Sequence, residues 1–439
     1  MTQTSGLRAA LDAMHEQLWD DERGMVRLYG LHLVRETALG AFLDLENGQV
    51  ERAQRALHHV LQHQYSLDAD PRWAGTFKTH AGQPDAGTLD ADGRLRDREW
   101  RDYDPNWRQF LALILWATER LYGHVLTDDL RGNMQRAVHN AARSEPVNRV
   151  GAHYTNIALM HTWLCDATGQ ASTLGNDVAA QLQRDGDIAE YNSPTYDAIS
   201  LMAGCVLADF GRTAPVRQLG EQTIRLICGR LHEVWHPGFA LQAGPHVRSY
   251  GLDPHLYVSL MSVLMAAIDV PAAGPTRLDN NTTHVHDLYF LPLFTRLCAR
   301  LRKAFSVQPV VEPRRHEQQF GDIVATSIVE PNNAIGFEHG RRSRFAIDQY
   351  APFTMYSRDG FIGVRTRPDT DWVDVYEVAP HEYELRSARR TDPGVQHDTA
   401  ALTVVASRAP IIGDYEMIFG DITLRFPGLV VEVRLPAQR

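Results

Sequence analysis

A helical region followed by an antiparallel β region, folded as two separate domains, is the fold class this sequence predicts. Three observations carry it. Apolar residues recur at three- and four-residue spacing between Leu7 and Phe305, the period of amphipathic helices. From Asp322 onward the period drops to two, with Ile323, Ala325, Ser327 and Val329 alternating with their neighbours, as half-buried strands require. Asp359-Gly360 then separates two such runs, a strong hairpin signal. Strands collected after the helices argue against βαβ units. At 439 residues the chain has room for both cores.

Taken in order, the helical pattern runs through Leu7–Leu18, Leu31–Leu45, Val50–Tyr65, Trp107–Leu126, Leu130–Ala142, Asn156–Thr168, Val178–Leu182, Pro194–Phe210, Val216–Val234, Pro254–Ile268 and Leu288–Phe305. Pairs of helices joined by loops predict an α/α-toroid, with inner helices around a cavity and loops at one end forming a cleft. Residues 68–104 interrupt the pattern as a long Gly-, Asp- and Thr-rich insertion. Loops of this length inside a domain are functional or disordered, and this one is read as a rim over the cleft, carrying Trp73 and His80. Residues 1–306 form the expected toroid and residues 307–439 the β-domain, with strands at Trp372–Val378, Ala400–Ser407 and Leu424–Leu435.

The formal net charge of −10 argues against a general nucleic-acid binder, although a local basic cleft remains compatible with it. Lys78 and Lys303 are the only lysines; base composition explains the bias, and arginine also grips carboxylates in a fork. Cys165, Cys205, Cys228 and Cys298 are far apart in apolar helical patterns, as buried cysteines of a reduced protein are. Met1–Leu18 lacks an apolar h-region and no run reaches membrane length, so a cytoplasmic protein without a membrane partner is expected, or a secreted one if a signal peptide has been removed.

No P-loop, HExxH, GxSxG or catalytic-cysteine context occurs. His284 and His286 stand two apart, as strand ligands do, but nothing beside them completes a metal site, and Asp287 reads as a helix cap. No metal and no cofactor is expected. Chemistry is sought instead at four polar-aromatic segments ahead of helices. These are Asp104-Pro105-Asn106-Trp107, His153-Tyr154-Thr155-Asn156, Glu190-Tyr191-Asn192-Ser193-Pro194-Thr195-Tyr196-Asp197, and His246-Val247-Arg248-Ser249-Tyr250 with Asp253 beyond it. Capping explains Asp104, Thr155 and Ser193 individually. It does not explain so many phenols, amides and imidazoles together. In a ring of helical pairs these starts meet at one end, and Trp73, Trp107 and Trp235 add flat faces on which sugars stack.

The segments DPNWR, YTNIALM, EYNSPTY and RSYGLD resemble a largely uncharacterised set of bacterial and fungal proteins with a predicted α/α-toroid. More distantly, the layout is similar to the toroid polysaccharide lyases of the heparinase II/III-like and alginate lyase groups, which join a toroid to antiparallel β-domains. That resemblance implies β-elimination by an Asn, a His, a Tyr and often an Arg. Here Ile157 follows Asn156 and Ser193 follows Asn192, so the Asn-His pairing common in those lyases is missing, and the imidazole falls to His153 or His246.

The expected function is therefore a lyase acting on an acidic, uronate-containing oligosaccharide or polysaccharide. Asn192 and Arg248 would neutralise the acid group, with Asn156 as substitute. Tyr250, four residues from His246, would be the base, with Tyr196 in reserve and His246 as base or neutraliser. Trp73, His80, Asp104, Asn106, Trp107, His153, Tyr154, Asn156, Glu190, Tyr191 and Trp235 would bind substrate. Two rivals predict a hydrolase using the carboxylates Glu190 and Asp253, or a non-catalytic sugar-binding protein.

Overall fold

The computed structural model describes residues 3–253, 256–271, 278, 282–342, 349–357, 360–365, 372–380, 382–388, 403–407, 421–426 and 429–434. Pro254, Asp359, Ala400 and Leu435 of the sequence reading lie outside them.

Helices come first. The chain opens with α1 (Gln3–Leu18), the short strands β1 (Trp19–Asp20), β2 (Met25–Leu28) and β3 (Leu31–His32), then α2 (Val34–Glu46) and α3 (Val50–Gln62). After the insertion come α4 (Trp107–Tyr122), α5 (Asp128–Arg143), α6 (Thr155–Thr168), α7 (Leu174–Asp185), α8 (Asp197–Phe210) and α9 (Ala214–Val234). A small hairpin of β4 (Trp235–His236) and β5 (Leu241–Gln242) precedes α10 (Leu260–Ala267), α11 (Phe290–Leu297) and α12 (Leu301–Ala304).

Two classes of helix are visible from burial. α6 buries every residue from Thr155 to Cys165, and α8 every residue from Asp197 to Leu207. Helices apolar on all sides belong inside. α3, by contrast, buries only Ala53, Ala56, Leu57 and Val60, one stripe at helical spacing. The inner helices contact one another in order: α2 meets α4, α4 meets α6, α6 meets α8, α8 meets α10 and α11, and α11 returns to α2. α3, α5, α7 and α9 pack outside their partners.

Three expected elements differ. The helix expected over Leu31–Leu45 starts at Val34, because Leu31 and His32 pair with Leu28 and Arg27 across a tight turn. Tyr29 and Gly30 hold that turn at φ 54° and 79°, the left-handed pair of a type I′ hairpin. The segment expected over Pro254–Ile268 is helical only from Leu260, where the Ser259 hydroxyl accepts from the Ser262 N–H at 3.1 Å. The Leu288–Phe305 run is divided into α11 and α12.

The insertion has its own small core of Tyr65, Trp73, Ala86 and Tyr103. Buried Arg108 on α4 clamps it, donating to the carbonyls of Ala74 (2.9 Å), Pro105 (3.1 Å), Pro71 (3.2 Å) and Arg72 (2.9 Å).

Two sheets follow the helices. The first contains β6 (Arg314–Phe320), β7 (Ile323–Val329), β8 (Asn333–His339), β9 (Phe353–Ser357) and β10 (Gly360–Arg365). The second is built from β11 (Trp372–Ala379) and β12 (Glu382–Ala388). β13 (Thr403–Ser407) closes the first sheet in the order β13-β10-β9-β8-β7-β6, and β14 (Asp421–Phe426) and β15 (Leu429–Arg434) complete the second as β11-β12-β15-β14. Pairing is antiparallel throughout these two sheets except between β12 and β15, which run parallel at Glu384 and Arg434. Ile335, Phe337, Phe353 and Met355 of the first sheet share a core with Val373, Val375 and Leu385 of the second.

The other face of the first sheet lies on the helical region. Ala334 and Val329 pack with Ala243 and Leu252. Gly336 faces the same way, and a Cβ there would stand 1.7 Å from the Gly244 carbonyl carbon. The missing side chain lets the 244–250 loop lie against the sheet, where the Ser327 hydroxyl also donates to the Gly244 carbonyl at 2.5 Å. Replacing Gly336 by Ala should cost about 2–3 kcal/mol through overpacking. Thermal unfolding would read this as a lowered midpoint; an unchanged midpoint would show that the loop does not need this contact.

Candidate functional site

The starts of α2, α4, α6 and α8, the 244–250 loop and the turn at Val285–Tyr289 come together at one end of the helical region. A buried ion pair joins the start of α6 and the approach to α8 to the 244–250 loop. The Arg248 Nη1 donates to Glu190 Oε1 at 2.5 Å, and Glu190 Oε2 accepts the Asn156 N–H at 2.8 Å. Glu190 is wholly buried and Arg248 is 7% exposed. The carboxylate thus caps α6 through its second backbone amide, where the helix dipole favours an anion. Arg248 also donates from Nε to Gln349 Oε1 at 2.9 Å, and its guanidinium lies over the rings of Tyr196 (3.9 Å) and Tyr154 (5.3 Å). Burial works against its charge, but the surrounding phenols and Glu190 hold it above its ordinary range.

Above this pair the side chains become accessible. The Tyr196 hydroxyl makes a short hydrogen bond to that of Tyr250, which is 41% exposed. Burial raises both phenols, so both are protonated at neutral pH. The Tyr250 ring stacks on His284, with centroids 4.9 Å apart and planes 11° from parallel. His284 is in the left-handed region at φ 57°, an uncommon conformation for a residue other than Gly. Burial and the nearby Arg35 and Arg365 lower its imidazole, leaving it neutral. His286 follows at 5.5 Å, and exposed Tyr29 meets His286 edge-on at 6.2 Å.

The expected site residues divide into three groups. Tyr154, Tyr196, Arg248 and Tyr250 meet at this end, as do Asn106, Trp107 and Asp104. Asn106 Nδ2 donates to the Tyr154 hydroxyl at 2.8 Å, and Arg35 lies 5.7 Å over the Trp107 ring. The Asp104 carboxylate accepts the Asn106 N–H at 2.9 Å, and burial raises it. His153 is exposed just ahead of α6, and His80 forms a backbone bridge with Leu33 beside the start of α2.

A second group is structural. Asn192, at φ 53°, donates both amide hydrogens to the carbonyls of Ala243 (2.6 Å) and Pro245 (2.9 Å), and its oxygen accepts from Gln242 at 2.9 Å. No donor is left for a substrate acid group. His246 is buried, with Nδ1 2.9 Å from the Asn192 carbonyl, and burial pushes it down to about 4. Asn156 and Glu190 are wholly buried in the α6 cap, so Thr155 is not the cap and Glu190 is not an accessible carboxylate. Ser193 does cap, but one turn early: its hydroxyl accepts the Tyr196 N–H at 2.9 Å while the helix begins at Asp197. Asp197 is locked to Arg230 at 2.7 Å. Asp253 opens a turn, its carbonyl accepting the Tyr257 N–H at 2.9 Å.

A third group is core. Trp73 belongs to the insertion's cluster, Trp235 packs edge-on against Phe305, and Tyr191 sits among Val247, Ala325 and Phe320. None of these presents a face for a sugar.

Sequence reasoning gave no role to Tyr29 or Arg35, and a capping role to Asp287. The tight Tyr29-Gly30 turn between apolar residues was the available signal for the first. Asp287 caps nothing. It lies within the 285–289 turn, 3% exposed, 3.8 Å from Arg35 Nη2 and 3.7 Å from His286 Nε2. Among the described residues its carboxyl accepts no hydrogen bond. Arg35 is committed to Glu36, donating from Nε at 3.0 Å and Nη2 at 2.5 Å. One cation faces two buried carboxyls, so one of them must carry the penalty. Burial, only partly offset by Arg35, pushes Asp287 up to about 7.

Two outcomes follow from these geometries. Arg248→Ala leaves the Glu190 charge buried and alone, and should cost about 3–5 kcal/mol in urea denaturation; a loss below about 1 kcal/mol would contradict the pivot assigned to this pair. Asp287 has the opposite sign. Its folded value of about 7 lies above the ordinary 3.8, so the stability from its protonation is present at low pH and lost as pH rises through about 7. Asp287→Asn should therefore raise the unfolding temperature at pH 8 and change it little at pH 5. Equal shifts at both pH values would count against a strained Asp287.

A family model described as a domain of unknown function, DUF8769, matches residues 8–299. No curated protein matches the chain. The match takes in nearly all of the helical region and every helix-start segment described above, so the chain belongs to the DUF8769 family.

Proposed function

We propose that this protein is a carbohydrate lyase, built on an α/α-toroid with a β-domain behind it, that cleaves uronate-containing glycans by β-elimination. The closed order of contacts among α2, α4, α6, α8 and α11 supports the toroid. One observation carries the chemistry: the half-exposed Tyr250 phenol, hydrogen-bonded to Tyr196 above the Arg248 guanidinium and stacked on a neutral His284.

In elimination a base removes the proton beside the acid group, the electron pair forms a carbon–carbon double bond, and the glycosidic oxygen departs with a proton. A neutral imidazole suits the first task and a protonated phenol the last. His284 is accordingly the base and Tyr250 the acid, which reverses the part first expected of Tyr250. The Tyr250 phenolate left behind regains its proton from the His284 imidazolium through solvent. Arg248, through its contact with Tyr196, stabilises negative charge on the coupled phenols. No helix among the described residues is long and apolar enough to cross a membrane, and imported oligosaccharides within the cytoplasm are the proposed substrates.

A second reading is hydrolysis. It is favoured by Asp287, whose carboxyl is pushed up to about 7 as a general acid's is, with Asp104 as its partner. Glu190 is not suited to that task, being held in the α6 cap.

Incubation with a panel of acidic and neutral glycans separates the readings. Ultraviolet absorbance of an unsaturated product appearing together with reducing ends is the expected result. Reducing ends without absorbance select hydrolysis, and binding with neither selects a non-catalytic protein. Tyr250→Phe should lower turnover at least about 100-fold, the usual scale of a lost general acid, with binding little changed. Full activity in that variant removes Tyr250 from the chemistry.

A further inference from the structure

Buried polar atoms without partners occur at several places among the described residues, and one of these places is the turn that carries His284 and His286. The Nδ1 atoms of His284 and His286 are buried without a hydrogen-bond partner. Beside them the Asp287 carboxyl, 3% exposed, stands 3.8 Å from Arg35 Nη2 and 3.7 Å from His286 Nε2 and accepts no hydrogen bond among the described residues. All three residues belong to one short turn, which His284 holds in an uncommon backbone conformation. Buried polar groups are nearly always satisfied, and leaving one unpaired costs about 1–3 kcal/mol. Two such atoms beside an unpaired carboxyl, next to the partly exposed Arg35, leave room for a ligand that supplies the missing partners.

Arg35 shows what that ligand carries. Its guanidinium lies over Trp107 at 5.7 Å and Phe290 at 5.5 Å, with the side chain 17% exposed. Nε and Nη2 are taken by Glu36, while Nη1 donates to nothing among the described residues. Arg35 Nη2 and His286 Nε2 stand 3.8 Å and 3.7 Å from Asp287 Oδ1, too far for hydrogen bonds and close enough for one ligand group to meet all three.

Resting on the lyase reading, we propose that Arg35 and a protonated Asp287 bind the acid group of the glycan, Arg35 through Nη1 and Asp287 as a carboxylic acid donor. The arrangement does what the reaction needs. A uronate carboxylate placed there is neutralised by one cation and one O–H donor, and both bonds strengthen as the carboxylate gains enolate-like charge. Of the two residues first expected in this role, Asn192 has both amide donors committed to carbonyls, and Arg248 is buried between Glu190, Gln349 and Tyr196. The burial that strains Asp287 in the free protein also keeps it protonated, hence able to donate. The bound anion then favours that proton further.

The groups facing Asp287 set the pH dependence. Glu36 on α2 is held ionised with its pKa lowered, because Arg35 outweighs burial; His286 and His284 are neutral; Tyr29, Tyr250 and Tyr257 are phenols raised by burial. Asp287 is thus the group that titrates near neutrality, and uronate affinity falls as pH rises through about 7.

The test is equilibrium binding of free hexuronates (glucuronate, galacturonate, mannuronate and guluronate) and their methyl esters, by calorimetry at pH 6 and pH 8.5. At least one acid should bind the wild type tenfold or more tighter at pH 6 than at pH 8.5, and better than its ester. Asp287→Asn, which keeps an N–H donor without a titrating proton, should hold nearly the same affinity at both pH values. Asp287→Ala and Arg35→Met should lose it. Tighter binding at pH 8.5 would mean that an ionised Asp287 accepts sugar hydroxyls instead, and overturns the assignment. So does a requirement for an added divalent cation, and so does the absence of acid binding by the wild type. These readouts need no turnover: a failed glycan assay with pH-dependent uronate binding sinks the lyase alone, and turnover undisturbed in Arg35→Met and Asp287→Ala sinks this inference alone.

Discussion

The Arg248–Glu190 pair is the constraint on which the rest of this end of the molecule depends. Glu190 fixes the start of α6 and the approach to α8 together, because one carboxylate both caps Asn156 and pairs with Arg248. Arg248 carries the link onward to Gln349, beside the first sheet, and underlies Tyr196 and Tyr154. Buried pairs of this kind add little net stability compared with apolar packing. What they fix is position. Here the positions fixed are those of two phenols, one of them reaching solvent.

The β region acts as a buttress for that arrangement. The central strands of its first sheet, β8 and β9, are buried on both faces, by the second sheet on one side and by the 243–252 segment on the other. Gly336 and Gly244 meet backbone to backbone, and the bridge between His246 and Ala351 adds a pair of hydrogen bonds at 3.0 and 2.8 Å. The loop carrying Arg248 and Tyr250 is thus held between helices and sheet, and its aromatic end is left free to face outward.

Much of the fold was legible because periodicity survives where one face is wet. The stripe of α3 could be read directly, and β7 from the alternation of Ile323, Ala325, Ser327 and Val329 in residue type, although every residue from Ala325 to Val329 is buried. Strands β8 and β9 could not, since burial of both faces erases alternation and leaves short apolar runs. Residue type picked out segments that the structure brings to one end of the helices, but not which of their polar atoms are already engaged. Asn192, His246 and Glu190 carry the chemistry expected of a catalytic set, yet Asn192 and Glu190 have their polar atoms engaged by neighbours distant in sequence, and His246 is buried with Nδ1 on the Asn192 carbonyl. Spacing along the chain does not reveal which donors remain free. Arg35 and Asp287 were obscure for the complementary reason. They are 252 positions apart, and only the return of α11 to α2 brings them together.

A crystal structure of the Tyr250→Phe protein with an acidic oligosaccharide is the most direct measurement. A sugar ring lying over residue 250 and His284, with its acid group against Arg35 and Asp287, is the expected result. A glycan bound elsewhere on the molecule, or none at saturating concentration, would contradict a carbohydrate site at this end of the helices.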